Sequence, residues 1–167
     1  MCIRDRQTPL GTATASTHDD KIVIATVFRA GLPLHTGFLN MFDHADNAFV
    51  SAFRFYKDDE HHIVDVHIEY IAAPSLNDRT LLLVDPMLAT GESMELAWKA
   101  FLTKGKPAKL QMACVIASQQ GVKHMAELFP GDDVTLWCAA IDPVLDEHKY
   151  IVPGLGDAGD LAFGEKL

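Results

Sequence analysis

The chain has 167 residues, 49% hydrophobic and 22% charged, with a formal charge of −9. That is the length of about one domain with a sizeable core. The composition excludes a mainly disordered chain, and with no apolar run near ~18 residues it excludes a membrane-spanning one. The acidic balance argues against a sequence-independent grip on nucleic acid, which needs a basic face, whereas a small anionic ligand needs only a few local positive groups.

In chain order, Met1-Cys2-Ile3-Arg4-Asp5-Arg6 has neither periodicity nor cap and reads as a non-native start, so the domain is taken as residues 7–167. Lys21 to Phe28 (KIVIATVF) is a buried strand. Arg29-Ala30-Gly31 is a turn, and a helix begins near Pro33, with Leu34, Phe38, Met41 and Phe42 on one face. Residues 48–56 and 63–71 alternate as strands around the polar turn 57–62, an antiparallel excursion. Arg79 to Val84 (RTLLLV) is a second buried strand, continuous in its apolar residues as central parallel strands are. The loop 85–91 leads into a helix carrying Met94, Ala97, Trp98 and Phe101 and stopping near Gly105.

Lys109 to Ala117 is a third strand, a helix with Val122, Met125, Ala126 and Phe129 follows, and Val134 to Ile141 is a fourth strand. After Asp142 the chain becomes a Pro/Gly-rich tail. Strand and helix alternate, which predicts an α/β fold with a parallel sheet flanked by helices. The three cysteines, Cys2, Cys114 and Cys138, include no CxxC pair, and the last two sit in apolar runs. They read as reduced, buried thiols of a cytoplasmic protein. The eight histidines show no metal-ligand spacing.

Chemistry is expected beyond the carboxyl ends of the strands. Asp85-Pro86-Met87-Leu88-Ala89-Thr90-Gly91-Glu92-Ser93 joins a buried strand to a helix and puts hydroxyls and unsatisfied N–H groups at the helix start, as phosphate binding requires. It lacks the Gly-Lys-Ser/Thr ending of a P-loop. Asp85 at its head suits sugar hydroxyls. Arg29 stands at a second strand-turn-helix, and a guanidinium offers phosphate a planar fork of donors. The tail segment Tyr150-Ile151-Val152-Pro153-Gly154-Leu155-Gly156-Asp157-Ala158-Gly159-Asp160 has a backbone shaped for close approach to a ligand and two carboxylates three residues apart.

DPMLATG with a serine two residues on resembles the phosphoribosyl-diphosphate (PRPP) loop of uracil phosphoribosyltransferases, and YIVPGLGDAGD…FG resembles their uracil-binding segment. With the Arg-Ala-Gly turn, the likeness covers residues 7 to 167 in outline. It implies a single phosphoribosyltransferase-like domain, truncated at its N-terminus, with a small antiparallel hood from about 48–72 and 143–167. It implies transfer of a phosphoribosyl group from PRPP to uracil, giving UMP and diphosphate, with Mg²⁺ carried by PRPP and touched by Asp157.

In that reading Arg29, Lys57 and Asp157 are catalytic. PRPP is held by these three and by Asp85, Pro86, Met87, Leu88, Ala89, Thr90, Gly91, Glu92 and Ser93; Ile151, Gly156, Asp157 and Ala158 hold uracil. A homodimer or larger homo-oligomer is expected. Lys57 stands where the family often has arginine, and Glu92 where glycine is usual. These departures keep open an alternative, a PRPP- or nucleotide-sensing or inactive member of the fold, and a third reading, an enzyme for a different base.

Overall fold

The computed structural model describes residues 2–17, 21–56, 64–131 and 134–165. β1 (Cys2–Thr8) and β2 (Gly11–Thr17) form an antiparallel hairpin, so the segment that showed no periodicity is a strand over most of its length. β3 (Ile22–Val27) is followed by α1 (Leu32–Met41), β4 (Asp46–Tyr56), β5 (Val64–Ala72), β6 (Thr80–Val84) and β7 (Met87–Leu88). Then come α2 (Glu92–Phe101), a 3₁₀ turn at Leu102–Lys104, β8 (Lys109–Ser118), α3 (Gln119–Leu128) and β9 (Val134–Asp142). The tail holds β10 (Val144–Leu145), β11 (Ile151–Val152) and α4 (Ala158–Phe163).

The main sheet runs β5-β4-β3-β6-β8-β9, parallel except for the edge strand β5. β7 prolongs β6 along β8: Val84 faces Ala113 and Met87 faces Ile116, the same offset on both sides of Asp85-Pro86. The central strands read as unbroken apolar runs because both faces are covered. Val23, Ala25, Leu81, Leu83 and Met112 pack under Met94, Ala97 and Phe101 of α2 and Met125 of α3. Ile24, Leu82, Val84 and Ala113 face the other way, toward Leu34 and Phe38 of α1.

Two expectations change. Met41, placed on the inner face of α1, is exposed, and His35 is the buried residue of that helix. The excursion at 48–72 does not stand wholly apart as a hood, because Asp46–Val50 of β4 pairs in parallel with β3 inside the main sheet. Beyond a bulge at Ser51/Ala52, β4 continues paired only with β5. β10 and β11 make a separate two-stranded sheet in the tail. Among the described residues no helix is long and apolar enough to cross a membrane.

Candidate active site

Three strand ends meet at a cavity of about 540 Å³. The first is the turn after β3. Gly31 approaches the sheet so closely that a Cβ there would lie 1.8 Å from the Thr26 hydroxyl and 2.9 Å from the Val27 carbonyl, so no larger residue fits. The Gly31 N–H bonds the Val27 carbonyl, and the Thr26 hydroxyl donates to the Val84 carbonyl at 3.0 Å, tying this turn to the end of β6. Arg29 is aimed by that turn into the cavity. Its Nη2 donates to Asp160 Oδ1 at 2.5 Å, with both side chains about a third exposed.

The second element is the loop from β6 to α2. Asp85, Met87, Leu88, Ala89, Thr90, Gly91 and Ser93 line the cavity. Asp85 sits between two strand pieces in register, with protein on every side but the cavity. Burial pushes its carboxyl from the ordinary 3.8 up to about 7, against a smaller opposing pull from the Met87 N–H at 3.4 Å. It therefore holds its proton to a higher pH than an exposed carboxylate does. Gly91, at φ +86°, is the N-cap of α2 and has no side chain to cap it. The Glu92 N–H is met by the Thr90 hydroxyl at 3.4 Å, and helix geometry leaves the Ser93 and Met94 N–H groups without an intrahelical acceptor, the kind of donor an anion takes up.

The third element is the tail. Asp157 caps α4, accepting from the Asp160 N–H at 2.9 Å, and Asp157, Ala158 and Gly159 complete the wall.

Of the residues singled out by sequence, Pro86, Glu92, Ile151 and Gly156 do not line this cavity. Pro86 turns its carbonyl to the N–H groups of Val115 and Ile116, and Glu92 opens α2. Ile151 is buried opposite Leu145, and Gly156 is exposed at φ +78° just before Asp157. Lys57 lies outside the described residues. Sequence reasoning missed Ser51, which lines the cavity at the β4 bulge, and the role of Asp160 as partner to Arg29. The second had a signal in the two carboxylates three residues apart. Cys114, behind Asp85, is a free thiol pushed up to about 12 by burial first and then by the charges of Cys138 and Asp85, so it is chemically inert.

The profile of the family described as "Uracil phosphoribosyltransferase" matches residues 3–165. The chain belongs to the uracil phosphoribosyltransferase family. A uracil phosphoribosyltransferase of Porphyromonas gingivalis is 60% identical over 165 residues, spanning 99% of this chain and 75% of the relative. One from Methanothermobacter thermautotrophicus is 39% identical over 160 residues, 95% of this chain and 71% of its own length. The solved structure of a protein from Aquifex aeolicus superposes with a TM-score of 0.82 at 28% identity, covering 99% of this chain and 76% of that one. The phosphoribosyltransferase fold expected from the sequence, a mostly parallel sheet with helices and a small antiparallel sheet, is the fold observed.

Proposed function

We propose that this chain transfers the phosphoribosyl group of PRPP to uracil in the cavity just described, giving UMP and diphosphate. One observation carries the reading: Arg29, the 85–93 loop and the Asp157-Ala158 corner, far apart in sequence, line a single cavity. The bond from the ribose C1 to the diphosphate oxygen breaks, a bond to the uracil nitrogen forms, and the displaced N–H proton leaves to solvent.

A transition state with oxocarbenium character needs positioning and charge stabilisation rather than a covalent nucleophile. Arg29, with Lys57, neutralises the leaving diphosphate. Thr90, Gly91 and Ser93 take the 5′-phosphate on their N–H groups and hydroxyls. Asp85 accepts hydrogen bonds from the ribose hydroxyls. Main-chain groups of the Asp157-Ala158 corner read the pyrimidine edge, and Ile151 and Gly156, which do not line the cavity, shape the segment that leads to it.

Magnesium fits this donor set. Asp85 and Asp157 are hard oxygen donors on the cavity wall, and among the described residues no group of three or more His, Cys, Asp or Glu is placed to hold an ion without the substrate. The ion would be carried by the phosphates of PRPP with Asp157 as the protein donor, and when bound it supplies charge neutralisation at the diphosphate. We read the protein as cytoplasmic, in keeping with its free thiols, and as a homo-oligomer. Exposed Trp137 beside the apolar groove formed with Phe38, Phe42, Leu82 and Ala113 supports self-association.

The test is incubation with PRPP, Mg²⁺ and radiolabelled uracil. UMP and diphosphate in equal amounts are expected. PRPP binding without turnover would replace this reading by the sensing one.

A further inference from the structure

Behind the 85–93 loop, on the side away from the cavity, lies a polar cluster that the reaction above does not use. Ser118, the last residue of β8, is fully buried. Its hydroxyl accepts from the Gly121 N–H at 2.8 Å and donates to the Ala89 carbonyl at 2.5 Å. Gly121 permits this contact, because a Cβ there would stand 2.5 Å from that carbonyl oxygen. In a trans peptide the C=O and the following N–H point in opposite directions, and the Ala89–Thr90 bond is not among the cis bonds of the chain. Holding the Ala89 carbonyl toward α3 therefore aims the Thr90 N–H away from α3, to the side where Thr90 lines the cavity.

A second contact braces the next turn of the loop. The ring of His124, on α3, packs on Gly91, and a Cβ on Gly91 would lie 2.8 Å from His124 Cδ2. The ring is held in place by Glu95, which meets His124 Nε2 at 2.8 Å and accepts from Lys99 Nζ at 2.5 Å. Glu95 lies on the same first turn of α2 that Gly91 caps, its N–H bonded to the Gly91 carbonyl at 3.0 Å. Its carboxyl is held below the usual range, chiefly by the Lys99 hydrogen bond and further by His124. The pair is thus a hydrogen-bonded brace between α3 and the start of α2.

We propose that Ser118 and the Glu95–His124 pair are positioning residues for the 5′-phosphate loop, holding its N–H groups in the shape that receives PRPP. This rests on the reading of residues 85–93 as the PRPP loop, and it extends that reading to groups that touch no substrate.

The experiment is steady-state kinetics of Ser118→Ala, His124→Ala and His124→Gln, with thermal shifts measured on adding PRPP or UMP. Loss of one hydrogen bond predicts that KM for PRPP rises about 3- to 10-fold in both alanine variants, while kcat and KM for uracil change less than about twofold. His124→Gln, whose amide donates to Glu95, should recover most of the PRPP affinity. The melting-temperature rise produced by PRPP should shrink in the alanine variants.

Lower melting temperatures with an unchanged KM for PRPP, or equal rises for PRPP and uracil, would overturn the proposal and leave these residues purely structural. A wild type that makes no UMP would instead remove the reading on which the proposal rests.

Discussion

Asp85→Asn is expected to make the protein more stable and less active, and the two effects separate by pH. The carboxyl lies at about 7 in the folded protein against an ordinary 3.8. Its folded value is raised, so the folded state binds more protons than the unfolded one between those two values. Stability contributed at this site is therefore present below about pH 4 and is lost as pH rises toward 7. The loss at pH 8 corresponds to about 4 kcal/mol, an upper figure because the carboxyl meets cavity water on one side. At pH 5 only about 1.5 kcal/mol has been lost.

Asparagine keeps the shape and an oxygen for the Met87 N–H, but carries no charge to desolvate. Denaturant melts at pH 3, 5, 7 and 8 should show the variant's advantage growing from near zero to several kcal/mol, with kcat/KM for PRPP falling at least about tenfold if the ribose loses a charge-assisted hydrogen bond. A stability difference that does not change with pH would refute the desolvation argument. A more stable variant with wild-type kinetics would remove Asp85 from the sugar site.

Asp160→Asn should release Arg29 from its partly exposed ion pair and lower KM for PRPP by up to about fivefold, since such pairs are worth about 0–1 kcal/mol; a raised KM would mean that Asp160 aims Arg29 productively. Lys57→Arg should lower KM for PRPP more than that for uracil by restoring a bidentate fork, and an unchanged value would take Lys57 out of the site. Gly156 is at φ +78° with open space around it, so Gly156→Val should damage uracil use through the backbone conformation rather than by collision, while Ile151→Val should leave base preference unchanged. In competition assays the wild type should favour uracil over cytosine by about 30-fold or more, because two donor–acceptor matches reverse at about 1–3 kcal/mol each; equal use of cytosine would reject the main-chain reading of the base.

Elements whose signal is local were legible in the chain. KIVIATVF, RTLLLV and KLQMACVIA are apolar over most of their length because their strands are largely buried at the centre of the sheet, and Pro33 sits in the first turn of α1 as its fixed φ favours. The 85–93 loop was legible as a candidate site because an Asp-Pro break, a glycine and hydroxyls coincide where a strand becomes a helix, and most of its residues line the cavity. Features that depend on tertiary placement were not. β7 is two residues long, and only its shared offset with β6 against β8 identifies it as the same strand resumed. Arg29 and Asp160 are 131 positions apart. Met41 fitted the apolar period of α1, but it is the last residue of that helix and stays exposed. Ser118 reads as an unremarkable strand end, and its contact with Ala89 depends on where α3 begins.

An acidic protein that receives a polyanion must solve an electrostatic problem locally, and this cavity does so with little formal charge. Among the described residues that line it, Arg29 is the one lysine or arginine, while Asp85 and Asp157 are carboxylates. Three arrangements lower the repulsion, while Asp160 works against them by pairing Arg29 at rest through a partly exposed contact worth only about 0–1 kcal/mol. Desolvation raises Asp85, so its charge is given up at a higher pH than that of an exposed carboxylate. The loop at the start of α2 offers main-chain N–H donors, a positive potential that needs no basic side chain and works only at short range. In the reading proposed above, magnesium arriving with the substrate would meet the remaining charge. The chain's net charge of −9 is therefore compatible with the proposed phosphate site: at ionic strengths where charges are screened beyond about 8–10 Å, binding in that reading would be decided by the shape of the loop at 85–93 and not by the charge of the distant surface.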